Sequence, residues 1–103
     1  MVKEKFSKHM TQDRADRYVL IATKVGFGEV LYTRQRVASN GHEVIMELTS
    51  TGVIIVRGLD RTIVTMYCTT LACAKLYFEL DRLPKNLLSA INRNQRNGYC
   101  MVK

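Results

Sequence analysis

Between residues 32 and 68 the chain alternates β-rich runs with glycine-bearing turn signals. Tyr32–Val37, Val44–Thr49, Val53–Val56 and Thr62–Cys68 are rich in branched and aromatic side chains. Asn40-Gly41, Ser50-Thr51-Gly52 and Gly58-Leu59-Asp60 stand between them. Asn-Gly favours a type I′ turn, because both central residues then need positive φ. Gly52 suits the left-handed position of a three-residue loop. Four runs joined by such short connections predict an antiparallel meander.

A two-residue Asn-Gly turn sets a definite register, with Ser39 opposite His42. Val37, Gln35 and Thr33 then oppose Val44, Met46 and Leu48 on the core face. Arg36 and Arg34 oppose Ile45 and Glu47 on the other face, where opposite charges stabilise a ladder modestly. The middle loop places Ile54 and Val56 inside and adds Arg57 to the Arg34/Arg36 face. The third turn leaves parity open for Thr65 and Tyr67.

Helical signals flank the strands. Ser7 is a candidate N-cap, and Met10, Arg14, Tyr18, Ile21 or Ala22, and Val25 recur at helical spacing. His9, Asp13 and Arg17 share the opposite face, and Gly26 and Gly28 can close the helix. The β-rich run Tyr18–Thr23 fits strand as well as helix. Thr70 caps a helix from Leu71 to Phe78, which Asp81-Arg82-Leu83 ends. Pro84 suits the first turn of another helix, whose apolar stripe is Leu87, Leu88 and Ile91. Gly98 caps its end. The expected architecture is α+β: N-terminal helix or helices, a four-stranded antiparallel meander sheet, and one or two C-terminal helices. Residues 1–103 form one domain, in keeping with 103 residues of which 47% are hydrophobic.

Several function classes are excluded as expectations. Apolar stretches stop far short of the roughly 20 residues that cross a bilayer, so no membrane partner is expected. The opening Met-Val-Lys-Glu-Lys has no apolar core and does not read as a secretory signal, so the expected location is cytoplasmic. Cys68, Cys73 and Cys100 are odd in number and lack C-x-x-C spacing, which fits reduced thiols. His9 and His42 lie far apart, so no metal site is expected. Gly26-Phe27-Gly28 lacks the rest of a phosphate-cradling motif, so no cofactor is expected either.

The charge is informative. The chain carries 16 basic and 9 acidic residues, a net +7. Residues 1–51 hold +2 and residues 52–103 hold +5, with no acid beyond Asp81. Such a tail attracts phosphate. Nucleic acid, RNA before DNA, is therefore the first candidate partner, with Arg34, Arg36, Arg57, Arg61, Arg93 and Arg96 as candidate contacts. Metal-independent RNA cleavage needs a base, an acid and cations around the phosphate. His9 or His42 with nearby arginines and Tyr67 supplies those residue types.

Phe6-Ser7-Lys8-His9, then Arg14 and Arg17, then Gly52-Val53-Ile54-Ile55-Val56 and Thr62-Ile63-Val64-Thr65-Met66-Tyr67, follow one another in a recognisable order. Over roughly residues 6–69 the chain resembles a family of small phage and mobile-element proteins. That family has a "His…Arg…Arg" helix and a closing "Val-(Val/Ile)-Thr-x-Tyr" strand. It is similar to a branch of the barnase–EndoU–colicin–RelE superfold of metal-independent ribonucleases and toxins. The matching residues are His9, Arg14, Arg17, Thr65 and Tyr67, and the resemblance implies His9, Arg17 and Tyr67 as a catalytic set. The helices from Thr70 to Asn97 are additions to that pattern, and its C-terminal Tyr/His cluster is missing. The alternative is a non-catalytic phage accessory protein that binds a host protein, an antitoxin or a nucleic-acid machine. A homodimer through the final helices is compatible with either reading. Arg34 and Arg36 on the edge strand are expected to discourage casual strand pairing.

Overall fold

The computed structural model describes residues 12–38 and 40–100. Helix α1 spans Gln12–Leu20 and runs into a π-helical turn, Ile21–Val25. Four strands follow: β1 Val30–Val37, β2 Glu43–Thr49, β3 Val53–Gly58 and β4 Ile63–Cys68. Helices α2 Leu71–Phe78 and α3 Lys85–Arg96 complete the chain. The strands pair antiparallel in chain order, β1-β2-β3-β4, so the expected meander and its flanking helices are present. Among the described residues, no helix is long and apolar enough to cross a membrane. The expected Ser7 cap, His9 and the Arg14 side chain lie outside the described residues.

All three hairpins use one loop design. The amides of Gly41, Gly52 and Arg61 donate to the carbonyls of Ala38, Thr49 and Gly58 at 2.9, 3.1 and 3.0 Å. Each of these three residues has left-handed φ, at 86°, 81° and 73°. Loops of three residues with a left-handed third position are a common hairpin connection. Glycine takes that position freely, whereas arginine pays about 1–2 kcal/mol for it.

The first of these loops corrects the expected register. Ala38, and not residue 39, faces His42, and its amide donates to the His42 carbonyl at 2.8 Å. The extra loop residue slips β1 by one place. Arg34 now opposes Met46 and Arg36 opposes Val44, while Thr33 opposes Glu47 and Gln35 opposes Ile45. Because side chains alternate strictly along a strand, one slip exchanges the two faces. Thr33, Gln35 and Val37 are therefore solvent-exposed and not in the core. Arg57 lies on the face opposite Arg34 and Arg36.

Two cores lie on either side of the sheet. Val44, Met46, Leu48 and Ile54 pack with Ala74 and Phe78 of α2 and Leu87 and Ile91 of α3. Val53, Ile55, Ile63, Met66 and Cys68 pack against Ile21, with Tyr18, Val25 and Phe27 beside them. The β-rich run Tyr18–Thr23 is thus helical. Burial of Ile21 against the sheet outweighs a weak local preference for strand. In α3 the buried stripe is Leu87, Ala90, Ile91 and Asn94, at spacings of three and four. Pro84 is the N-cap of α3, one place earlier than expected, and Glu79 ends α2 in the left-handed conformation.

Candidate functional site

The arginines of the sheet are engaged by the protein itself. Arg34 forms an ion pair with Glu79 at 2.8 Å, at the residue that ends α2. The hydrogen bond from Arg34 and the Arg34 charge hold the Glu79 carboxyl below its ordinary range, against desolvation, with Arg36 adding a lesser pull in the same direction as Arg34. Arg36 stacks over the Tyr77 ring, 5.1 Å from its centroid, and donates to the Tyr77 carbonyl at 3.3 Å.

On the other face Glu47 is 5% exposed. It accepts from Arg57 Nε at 2.8 Å and from Arg61 at 3.4 Å. Arg57 also donates to the Arg61 carbonyl at 3.0 Å. The left-handed Arg61 thereby presents both its carbonyl and its guanidinium to this cluster. A buried carboxylate is stable only with such partners. The Glu47–Arg57 pair lines a small cavity of about 180 Å³ together with Tyr18, Phe27 and Met66. Arg17 donates to the Met66 carbonyl at 3.5 Å.

Tyr67 lies on the α2/α3 face, packed against that core. The sheet therefore separates it from Arg17, and His9 is outside the described residues. Burial, followed by the neighbouring Tyr77 and Cys73, pushes the Tyr67 phenol up to about 12, with Arg36 pulling weakly the other way. Its folded value lies above its unfolded value, so the folded state favours the protonated phenol. Stability attributable to this group is complete below pH 10 and is lost as pH rises towards 12. An ultraviolet titration should show one late-ionising tyrosine. Tyr67→Phe should remove that step and flatten the alkaline loss of stability.

Among the described residues, Lys24, Lys75, Arg82, Lys85, Arg93 and Arg96 make no ion pair. Two of them, Lys24 and Arg93, meet at a polar depression of about 480 Å³ between the π-helical turn, the β2–β3 loop and α3. Asn86, Ser89, Arg93 and Asn97 recur at spacings of three and four along its α3 side, and Tyr99 closes one end. Among the described residues, Glu29 is the one acidic residue on its lining.

Local structure explains why these groups converge. The π turn ends where the Gly26 amide donates to the Ile21 carbonyl at 2.7 Å, an i to i+5 bond. Single π turns recur at functional sites, where the added residue redirects side chains. Here the turn brings Lys24 to the rim. The loop 50–52 joins the layers: Thr51 Oγ1 donates to the Gly26 carbonyl at 2.7 Å, and Asn94 Nδ2 donates to the Thr51 carbonyl at 2.8 Å. The Ser50 amide donates to the Glu29 carbonyl at 2.8 Å. Both walls of the depression are thus fixed to one loop.

The six arginines singled out as nucleic-acid contacts therefore divide three ways. Arg34 and Arg36 are tied to α2, Arg57 and Arg61 surround Glu47, and Arg93 and Arg96 project from α3. Sequence reasoning named Arg93 but missed Asn86, Ser89 and Asn97, whose helical spacing was legible. It had no signal for Lys24, which depends on the π turn. No group of three or more His, Cys, Asp or Glu able to hold a metal occurs among the described residues. Compared with protein-family models, curated proteins and solved structures, the chain matches none.

Proposed function

We propose that this protein binds nucleic acid, with single-stranded RNA favoured, and that the depression between α3 and the π turn is its principal contact. The observation that carries the reading is the meeting of unpaired Lys24 and Arg93 with three amide or hydroxyl side chains on one helix face. Cations hold phosphates and supply affinity without sequence information. Asn and Ser side chains donate and accept at base edges, and Tyr99 offers an aromatic surface for a base. Arg96 and Lys85 extend the positive charge along α3. The opposite placement of Arg17 and Tyr67 favours binding over cleavage, because those two groups do not converge on one phosphate.

Fluorescence anisotropy with a labelled single-stranded RNA tests this. Affinity should fall linearly with the logarithm of salt concentration. Arg93→Ala should weaken binding about tenfold and reduce the slope by about 0.7, the value of one lost phosphate contact on a single strand. Lys24→Ala should act similarly, whereas Arg34→Ala should leave the slope unchanged. Absence of binding at about 50 mM salt, where electrostatic affinity is strong, would overturn the proposal.

A further inference from the structure

The outer edge of β1 is open. Among the described residues nothing pairs with it, because β1 is the first strand in the sheet order. The Ala38 amide bonds to the His42 carbonyl, and hydrogen-bonded positions alternate along an antiparallel strand. Tyr32, Arg34 and Arg36 therefore turn their backbone groups towards β2. Thr33, Gln35 and Val37 turn theirs outward. These three side chains are uncharged and exposed, and Val37 is 65% exposed.

Natural edges are usually guarded by charge. Arg34 and Arg36 do not serve here, since both lean onto α2 and are held by Glu79 and Tyr77. Among the described residues, three of the six exposed large apolar side chains, Val30, Leu31 and Val37, also lie on this one strand.

We propose that β1 pairs antiparallel with β1 of a second copy, about a two-fold axis at Gln35, to give a continuous eight-stranded sheet. The strand is suited to itself. Its register shifts between Val30 and Tyr32, so the regular segment runs from Tyr32 to Ala38 and is centred on Gln35. Self-pairing sets Thr33 opposite Val37 of the second copy, a pair of branched side chains, and sets the Gln35 amides against each other. All three outward-facing residues then exchange backbone hydrogen bonds.

On the α2 face, Arg34 of one copy meets Arg36 of the other. Glu79 stands beside them, its side chain 71% exposed, already paired with Arg34 and free on its solvent side to accept a second guanidinium. The like charges are thus bridged by carboxylates, two per dimer. An extended segment of another protein satisfies the backbone edge equally, but the centred pattern and the Arg34–Glu79–Arg36 arrangement favour a second copy.

Sedimentation velocity over a concentration series tests the pairing. The wild-type chain should reach twice its 11.8 kDa mass. Gln35→Glu places two carboxylates at the axis and should raise the dimer dissociation constant about tenfold or more at neutral pH, with recovery in mild acid as they protonate. Gln35→Pro removes an outward amide and no β1–β2 bond, so it should abolish the dimer while retaining the circular dichroism of the fold. A wild-type chain that stays monomeric at the highest concentration, or a dimer indifferent to both substitutions, would overturn the inference.

Discussion

Glu47→Ala is expected to destabilise the fold by about 3–5 kcal/mol, among the largest single losses available to this chain. The Arg57 side chain is only 12% exposed and sits against the Glu47 carboxylate at 2.8 Å. Removing the carboxylate takes its 2.8 Å ion pair from a guanidinium held largely away from water, and that share of the desolvation is no longer offset. Glu47→Gln should cost less, because an amide oxygen still accepts from Arg57 Nε. Replacing the pair together, as Glu47→Leu with Arg57→Met, should recover most of the loss, since neither charge is then buried. Urea denaturation of the three variants gives the comparison. A loss below about 1 kcal/mol for Glu47→Ala, typical of a surface pair, would show that the two charges remain hydrated.

The second large effect is expected at Gly52. Its φ of 81° is strained for any side chain. A Cβ there would also stand 3.1 Å from Ile91 Cγ1 and from Asn94 Nδ2, and 3.4 Å from Ile91 Cα. Gly52→Ala therefore combines a left-handed penalty with overpacking and should cost about 2–4 kcal/mol. Because α3 takes the pressure, the substitution should also displace Arg93 from Lys24 and weaken RNA binding beyond its effect on stability. Gly41→Ala makes a control: its φ is equally left-handed, but no atom lies within 4 Å of the added Cβ. It should lose only the backbone share, about 1–2 kcal/mol, without an effect on binding. Equal losses at the two positions, measured by thermal denaturation, would rule out the close approach of α3 as the cause.

Much of the fold was legible because its punctuation is chemical and local. Thr70 accepts from the Cys73 amide as an N-cap should, and Gly98 takes left-handed φ after α3. Asn94, a polar residue inside an apolar stripe, was not legible as a core residue, since its reason for burial is a carbonyl 43 positions away. Register was the costly error. Asn40-Gly41 correctly marks a hairpin, but the dipeptide serves a two-residue and a three-residue loop alike. Only the closing bond of Ala38 with His42 distinguishes them. That single residue decided whether Arg34 and Arg36 lay on an open sheet face or against α2 and the residues that end it. The shared placement of Arg93 and Arg96 on α3 was legible, because helical spacing does not depend on a turn in another part of the chain.

The three matched loops also bear on how the chain reaches this structure. Each strand pairs with the one made just before it, across a loop of three residues, so the entropy of closing each step is small. Helices α2 and α3 follow and cover the sheet from the side that is already assembled. The layer of α1 and its π turn has more distant partners: Ile21 shares a core with Ile55 and Met66, more than 30 positions along the chain. Once the meander has formed, only residues 26–29 link the π turn to β1, so docking of this layer closes a short effective loop. The same meander that makes the sheet a series of local steps therefore also carries these distant partners within reach of the N-terminal layer.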